Sequence, residues 1–572
     1  MPATSLFIPD LTAMQCANQL LARHSSLVAH HSVDLALVWP HPMAPVHNLI
    51  ISALVATIPL AVVLILMGGL RKSGALSAAM GLATALLVAI LVWGMPLHLA
   101  VLSTLYGFAY ALWPILWIVL ASLWLYNLTV DIGNFEMLRR WMSEHASGDR
   151  CIQAILVAFC FGSLLEGTSG FGTPVAVAGF LLLGLGFTAR QAITVALIAD
   201  TTPVAFGSLG IPIVALSGVT GLSVMKLSAM VGRQLSFLSL ILPAYLIWVV
   251  DGRKGLKRAW PLALVGGASF SVAQLVCTNY WGPYAAGIVS AIFSIGCVVG
   301  LLRVWKPEPS TVESGPGRVE SPPTPEAGLT TGQSFAAWAP WVLLAAVMVA
   351  WSYFHLFTFA QQFLPIPYLH NGVFITLYNK PYAAILSFQP LAGGTAAFTA
   401  MLLTALFFRT PPRTVVQSGI KTLRQLRMPA LTVGLIVALA YLYNYSGMAY
   451  TLGAALAGLG KGFPLVSGFL GWIACFLSGS DTSANLLFGN LQVAAAHQIG
   501  VNPILLAATN SSGGVCAKMI SPQNIAVGVT TLGLVGKEGD VVRSTIGHSL
   551  LFLLLLSLIA FAQAYWLSWM IP

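Results

Sequence analysis

Long apolar stretches, separated by short polar breaks, occupy almost the whole of this 572-residue chain. A helix that crosses the hydrocarbon core of a bilayer needs roughly 20 apolar residues. By that criterion the pattern predicts an all-α polytopic membrane protein. We expect about twelve transmembrane crossings, at residues 46–69, 75–93, 100–129, 190–216, 229–250, 259–277, 284–302, 335–357, 391–408, 428–446, 503–530 and 544–571.

Two further regions, residues 151–186 and 464–499, have a different pattern. Each contains two apolar arms of about 15 residues around a tip rich in Gly, Ser and Thr, and an arm of that length is too short to span a bilayer. Irregular backbone at membrane depth is stable only inside protein or beside water. We therefore predict two re-entrant hairpins, with ordinary tight crossings as the alternative.

The two halves of the chain resemble each other at an offset of 310 to 317 residues. Matching positions occur in the same order in both copies: Trp113-Pro114 and Met428-Pro429, Thr168-Ser169 and Thr482-Ser483, Asp200-Thr201-Thr202 and Asn510-Ser511-Ser512, and Gly232 and Gly547. Seven predicted crossings separate the starts of the two copies, and an odd number inverts the second copy. Inverted repeats with broken helices are typical of secondary transporters, whose site lies near the midplane. Chance similarity between apolar helices is the alternative.

These features divide the chain into five parts. They are an N-terminal extension (1–45), N-terminal helices (46–112), the first inverted repeat (113–250), connecting helices (251–427) and the second inverted repeat (428–572). The connecting part includes residues 306–334, which are rich in Pro, Ser, Gly and Glu and are typical of a flexible cytoplasmic linker.

Composition supports the membrane assignment. Hydrophobic residues make up 58% of the chain and charged residues only 7%, whereas soluble domains carry about 25% charged residues. The net charge of +10 comes from Lys and Arg dispersed over alternate loops, as the positive-inside rule requires. Both termini are therefore predicted outside, and the lipid bilayer rather than a nucleic acid is the expected partner. A homo-oligomer is left open.

Three of the 16 acidic residues lie within predicted membrane segments. Glu166 and Asp481 lie at the two hairpin tips, and Asp200 lies at the first helix break. Ionisable groups are costly at membrane depth, so we expect these three carboxyls to carry a coupling proton. Unwound backbone carbonyls and Asn, Ser and Thr groups also suit sodium, so a sodium-coupled carrier of an organic anion is the alternative.

Polar residues at the tips and breaks are predicted to form a substrate cage, where inversion brings the two tips together. Asp481, Thr482 and Ser483 are predicted to cap the returning arm of the second hairpin, and a helix N-terminus suits an anionic substrate. Lys518 is expected to pair with an acid or to bind that anion. The predicted cage consists of Thr168, Ser169, Gly170, Thr201, Thr202, Thr482, Ser483, Asn485, Asn510, Ser511, Ser512 and Lys518. Helix capping and interhelical hydrogen bonds are the alternative role for each Thr, Ser and Asn.

Neither a cofactor nor a metal ion is expected, because the seven cysteines form no CxxC pair and no metal-ligand spacing. An intramembrane enzyme would need a paired nucleophile and base or a metal cluster. No HExxH, GxSxG or paired-Asp signature occurs in a suitable context. A passive channel is the remaining class, and accumulation of substrate against a gradient would exclude it.

Four motifs together carry a family resemblance: EGTSGFGTP at 166–174, GSDTSAN at 479–485, KMISPQNIAVG at 518–528 and VGKEGD at 535–540. With them, residues 46–572 resemble the bacterial L-lactate permease family, which includes glycolate permeases. The resemblance implies a proton-coupled symporter that takes up short 2-hydroxy monocarboxylates (L-lactate, D-lactate and glycolate) across the bacterial inner membrane. Where that family often has Ala in the first tip, this chain has Thr168, Ser169 and Thr173, whose hydroxyls would alter substrate choice.

Overall fold

The computed structural model describes residues 38–70, 72–146, 148–170, 172–305, 329–534 and 537–572. Its first half contains α1 (Leu49–Met67), α2 (Gly74–Leu91), α3 (Leu97–Asp131), α4 (Asn134–His145), α5 (Arg150–Thr168), α6 (Thr173–Gly184), α7 (Ala189–Ala199), α8 (Gly207–Thr220), α9 (Val224–Trp281) and α10 (Ala286–Val304). Its second half contains α11 (Thr331–Tyr353), α12 (Gly393–Phe407), α13 (Pro412–Tyr445), α14 (Met448–Leu456), α15 (Phe463–Ser478), α16 (Asp481–Ile499), α17 (Pro503–Lys518), α18 (Pro522–Thr531) and α19 (Glu538–Tyr565).

Several helices begin after a polar residue whose side chain accepts a hydrogen bond from a backbone N–H of the first turn. Such a bond satisfies a donor that the helix itself leaves unpaired. Asn48 does this before α1, Ser73 before α2 and Asn502 before α17. Thr188 forms a reciprocal capping box with Gln191 at the start of α7. These caps fix helix starts that hydropathy alone locates only to within a few residues.

Ten helical runs of the described ranges are long and apolar enough to cross a membrane, one of them the continuous run of α14 and α15 (Met448–Ser478), or eleven if the bent pair α7 and α8 counts as one span. The helical membrane architecture with a broken helix is therefore confirmed. The predicted twelve crossings are not reproduced one for one, because α9 is a single 58-residue run and α12 has only 15 residues. Gly252, with φ 62° and ψ −156°, turns the backbone within α9. The two halves of α9 thus correspond to two predicted crossings.

Each predicted hairpin is a pair of helices joined by a short tip. The first consists of α5 and α6, and the second of α15 and α16. The expected arm length of about 15 residues is wrong for α5 and α16, which have 19 residues each. These arms are longer because polar residues near the tips, such as Glu166 and Asn485, continue the helix.

The same order of elements occurs twice along the chain. A hairpin, an interrupted helix and a long helix follow one another as α5 to α9, and again as α15 to α19. The interruption lies between α7 and α8 in the first series and between α17 and α18 in the second. The inversion of the second copy, and the domain boundaries that depend on it, stay predictions.

Two small sheets are formed mainly by the segment between α11 and α12, and the all-α prediction did not include them. β1 (Trp39–Pro40) pairs in parallel with β3 (Val373–Ile375), which pairs antiparallel with β4 (Lys380–Pro381). A second sheet joins β2 (Gln362–Pro365) to β5 (Ile385–Phe388). Strands of two to four residues leave no signal in a pattern of long apolar stretches. Their pairing brings the end of the predicted N-terminal extension onto this segment.

Most of the predicted linker, residues 306–334, lies outside the described residues. Its last part is helical, because α11 begins at Thr331 after a capping box between Thr330 and Gln333. The predicted linker therefore extends a few residues too far.

Glycines allow α15 and α17 to approach closely behind the second hairpin. A Cβ on Gly471 would lie 1.9 Å from the backbone oxygen of Asn510, and one on Gly513 would lie 2.1 Å from that of Gly468. Small residues at crossings are a usual means of close helix association in membranes. The position of α17, which ends at Lys518, therefore depends on these glycines.

We expect Gly513→Ala to destabilise the purified protein, because its methyl group would collide with backbone atoms. Overpacking of this kind typically costs about 1–3 kcal/mol. Gly296→Ala is the matched control, since nothing lies within 4 Å of the equivalent Cβ in α10. Thermal unfolding in detergent should give a lower Tm for Gly513→Ala and an unchanged Tm for the control. Equal Tm values would contradict the packing argument.

Candidate functional site

The first helix break lies where α7 gives way to α8. The chain bends by 65° there. Ser208, Leu209 and Gly210 all have positive φ, at 45°, 63° and 75°. Left-handed backbone is unusual for residues with a side chain and concentrates at functional positions. This break coincides with the helix break predicted at Asp200, which caps the end of α7.

The second break lies between Lys518 and Pro522. The side chain of Ser521 accepts a hydrogen bond from the Asn524 N–H and so caps α18. Asn510, Ser511 and Ser512 lie inside α17, about two turns before its end. The expectation that these three residues lie in the interruption is therefore wrong, because α17 continues through them.

Glycines turn both hairpin tips. Gly170 and Gly172 have φ values of 57° and 81° in the first tip, and Gly479 has a φ of 72° in the second. Ser480 is the N-cap of α16 and accepts a hydrogen bond from the Ser483 N–H. The predicted cap at Asp481, Thr482 and Ser483 is therefore displaced, since these residues form the first turn of the helix.

α18, the helix that follows the second break, lies beside both tips. A Cβ on Gly172 would lie 3.4 Å from a methyl group of Val527, and one on Gly479 would lie 2.5 Å from Gln523 Oε1. The first tip is also tied to its own break, because Ser208 Oγ donates to the Ser169 carbonyl at 3.0 Å. The two tips and the two breaks therefore meet in one region of the molecule.

A cavity of about 870 Å³ occupies this region. Its lining residues from the tips and breaks are Glu166, Gly170, Val204, Gly207, Ser208, Ile211, Pro212, Ser478 to Ser483, Lys518, Ile520 and Pro522 to Ala526. Exposed Lys72 and half-buried Glu538 also line it. Both belong to segments that the positive-inside pattern assigns to the cytoplasm. The cavity therefore extends toward the predicted cytoplasmic face.

One ammonium group and two carboxyls meet at the wall of this cavity. Lys518 Nζ lies 2.5 Å from Glu166 Oε1 and 3.5 Å from Asp200 Oδ2. The side chains are 8%, 3% and 3% exposed, in that order. Within the described ranges, Glu166 Oε2 and both Asp200 oxygens accept no hydrogen bond. Glu166 faces the cavity, whereas Asp200 does not line it.

The third carboxyl, Asp481, belongs to a separate hydrogen-bond network. Its Oδ2 accepts from Ser511 Oγ at 2.7 Å and from Asn485 Nδ2 at 3.3 Å, while Oδ1 has no partner among the described residues. Asn510 Nδ2 donates to Asn485 Oδ1 at 3.0 Å. Gln492 then donates to Asn510 at 3.2 Å. This network links α16 of the second hairpin to α17 and positions Asp481 at the cavity wall.

Six of the predicted site residues line the cavity: Glu166, Gly170, Asp481, Thr482, Ser483 and Lys518. The others lie behind its wall. The hydroxyls of Thr168, Ser169 and Thr201 donate to carbonyls of their own helices, and Ser512 Oγ donates to Gln234 at 2.7 Å. The Thr202 hydroxyl is buried and has no partner within the described ranges. These residues therefore do not face the cavity directly.

Ser208, Ser480 and Asn524 line the cavity but were not predicted as site residues. Ser480 and Asn524 lie in the motifs at 479–485 and 518–528 that carry the family resemblance, and Ser208 follows the first helix break. Ser480 directly precedes Asp481 and is the N-cap of α16. The preference for Ser at N-cap positions is the sequence signal that could have identified it. Among the residues that the structure describes, no three His, Cys, Asp or Glu side chains are placed to hold a metal ion.

The chain was compared with known families, sequences and structures. The model of the family described as L-lactate permease matches residues 52–567. The glycolate permease GlcA of Escherichia coli is 41% identical over 92% of this chain and 98% of its own length. An L-lactate permease of Bacillus subtilis is 40% identical over 93% of this chain and its full length. The solved YdaH transporter of Alcanivorax borkumensis covers 80% of this chain and 86% of its own, with a TM-score of 0.43 and 14% identity.

We expect Lys518→Met to destabilise the protein strongly, because it leaves Glu166 and Asp200 buried without a cation. Breaking a buried pair by removing one partner typically costs about 3–5 kcal/mol. The double variant Lys518→Met/Glu166→Gln should recover at least half of the lost Tm. Lys226→Met, at an exposed position in α9, is the control. A Tm for Lys518→Met equal to that of the control would contradict the charge cluster.

Proposed function

We propose that this chain, which belongs to the L-lactate permease family, takes up short 2-hydroxy monocarboxylates together with protons. A permease is a membrane transporter and not an enzyme. L-lactate, D-lactate and glycolate are the proposed substrates, in line with the names of the relatives. The observation that carries the proposal is a single cavity that combines both tips, both breaks and one buried ammonium group.

The cavity wall offers groups suited to each part of such a substrate. The carboxylate would bind Lys518, the only Lys or Arg besides Lys72 that lines the described cavity. Backbone N–H groups at the start of α16 and α18 add the partial positive charge of helix N-termini. The 2-hydroxyl group would hydrogen-bond to Thr482, Ser483 or Ser208. The residues behind the wall, such as Asn485 and Ser511, would hold this arrangement in place.

The coupling proton is proposed to reside on the three carboxyls. If Glu166, Asp200 and Asp481 were all ionised beside Lys518, the buried site would carry two uncompensated negative charges. Unpaired charges at membrane depth are expensive. Asp200, with its longer contact of 3.5 Å to Lys518, therefore holds a proton while Glu166 pairs with Lys518. A substrate carboxylate that takes over Lys518 leaves Glu166 unpaired, so Glu166 binds a proton as the substrate binds.

This exchange of partners at Lys518 couples substrate binding to proton binding. Without a proton, the substrate carboxylate and Glu166 compete for one ammonium group, and their mutual repulsion keeps the substrate out. With the proton, the site accepts the anion without adding net charge. Asp481 is the third proton candidate, and its two hydrogen bonds from Ser511 and Asn485 favour its ionised form over that of Asp200.

We further propose that both termini of this multi-pass protein face the outside of the bacterial inner membrane. The segment between α11 and α12 carries only Lys380 as a basic residue over residues 358–392, as expected for an outer loop. The oligomeric state stays an open question. The cavity described above is formed by one chain.

We expect Glu166→Gln to abolish accumulation of L-lactate driven by a pH gradient while exchange of internal for external L-lactate continues. Glutamine imitates the protonated carboxyl, so substrate binds but no proton cycles. Both activities are measured in the same proteoliposomes, with Glu136→Gln, on the exposed α4 surface, as control. Accumulation should fall at least tenfold in Glu166→Gln only. Intact accumulation in Glu166→Gln would indicate that Asp200 carries the proton, and accumulation would then be measured in Asp200→Asn. Intact accumulation in both would refute the coupling proposal.

We expect radiolabelled L-lactate uptake to proceed at full rate in sodium-free buffer, because the carboxyls bind protons rather than sodium. Excess unlabelled glycolate and D-lactate should compete, whereas succinate should not, because Lys518 is the only buried cation that lines the described cavity and Lys72 is exposed to solvent. Uptake that requires sodium would favour the alternative carrier. Strong competition by succinate would refute the proposed substrate class.

A further inference from the structure

Residues 38–47, here called the outer strap, pack against residues 366–388, here called the outer loop. The Trp39 N–H donates to the Gly372 carbonyl at 3.0 Å, and the His41 N–H donates to the Phe374 carbonyl at 3.2 Å. The Thr376 hydroxyl donates back to the His41 carbonyl. The strap precedes residues 52–567, which the family model matches.

The strap and loop lie on α14 and on the end of α16 that is remote from the cavity. Thr451 Oγ1 in α14 donates to the Met43 carbonyl of the strap at 2.9 Å. The ring of Tyr378 in the loop lies 4.8 Å from that of His497 near the end of α16. The first residues of α16 line the cavity, and its 19 residues extend roughly 28 Å. One helix therefore connects the cavity wall to the strap and loop.

His41 is fully buried in this contact and lacks polar partners. Its ring stacks on Tyr450 with centroids 5.0 Å apart, and a Cβ on Gly447 would lie 2.8 Å from the ring. Neither ring nitrogen has a hydrogen-bond partner in the described part of the chain. An imidazolium here would have no acceptor for its two N–H groups, so the packed arrangement requires the neutral ring.

The surrounding charges also oppose an imidazolium. Tyr450 on α14 stacks on the His41 ring and also contacts Tyr378 and Tyr382 of the loop. The other titratable side chains of the strap, the loop, α14 and the end of α16 are His47, Tyr368, His370, Lys380 and His497. Lys380 Nζ lies 5.3 Å from the centre of the Tyr378 ring. Residues 38–48, 358–392, 447–456 and 490–499 contain no Asp or Glu at all. No carboxylate from these elements can compensate a positive charge on His41.

We propose that the outer strap and outer loop form a lid on α14 and the end of α16, and that His41 is an acid-sensitive latch that releases this lid when it is protonated. Given the proposed outside location of the termini, external acid would then expose the helix ends beneath the lid. The latch is separate from the Lys518 cluster and adds a pH response that the coupling carboxyls do not provide.

Burial of His41 determines the direction in which pH changes the stability of the closed lid. Burial lowers the pKa of His41 from 6.5 to about 4 in the packed lid, whereas a released, hydrated His41 would have its ordinary value. The neutral ring therefore stabilises the closed lid above pH 6.5, and this stabilisation declines as the pH falls from there toward 4. Over that window the ratio of open to closed lid should rise about tenfold for each pH unit.

The test measures access to a position beneath the lid. In a full-length chain whose native cysteines are replaced by serine, Ala494→Cys introduces a buried thiol in α16 and Tyr368→Cys an exposed reference thiol. A membrane-impermeant maleimide labels each variant in right-side-out vesicles. Dividing the two rates cancels the intrinsic pH dependence of the reagent. This ratio should rise about tenfold between external pH values of about 7.5 and about 5.5.

Two neutral replacements identify His41 as the cause. In His41→Gln and His41→Phe, the ratio of the two labelling rates should not change with pH. Two different replacements are used so that the test still holds if one of them does not fold. His98→Gln, at an exposed histidine at the start of α3, should keep the full rise. Glu166→Gln should also keep it, which separates the latch from proton coupling. A flat ratio in the native-His41 background, or a rise that persists in either folded His41 variant, would overturn the proposal.

Discussion

The site depends on one buried ion pair between Lys518 and Glu166. Lys518 ends α17, Glu166 lies near the end of α5, and 352 positions separate them in the chain. Neither charge is tolerable alone at membrane depth. The pair therefore requires that two distant helices end at the same point, which the first hairpin tip and the second helix break allow. Asp200, at the end of α7, becomes the third member because its helix ends there as well.

Close backbone approach makes this convergence possible. Gly207 lies against Glu166, and a Cβ there would be 2.3 Å from Oε1. Gly514 lies in the same way against Asp481, at 2.2 Å from Oδ1. The acidic groups thus occupy space that glycines leave free. Larger residues at these positions would displace the carboxyls from the cavity wall without changing any charge.

Sequence patterns predicted the helical membrane fold, the two hairpins, the first break and the three buried acids, because apolar length and charge burial are local properties of the chain. The details that failed depend on geometry. Asn510 lies within α17 because polar residues with partners in α16 do not end a helix. Ser480 rather than Asp481 caps α16 because a cap requires extended backbone, which residue type alone does not specify. The pairing of Val373 with Trp39 joins residues more than 300 positions apart, which a local pattern does not indicate.

In the proposed cycle, substrate and proton enter together through the Lys518 cluster. Coupling is measured as the pH of a weakly buffered, sodium-free medium when L-lactate is added to proteoliposomes that contain the protein. The medium should become more alkaline, with about one proton taken up for each lactate anion, and should not change when both Glu166→Gln and Asp200→Asn are present. Lactate entry without alkalinisation, or alkalinisation that survives in the double variant, would contradict the proposed cycle.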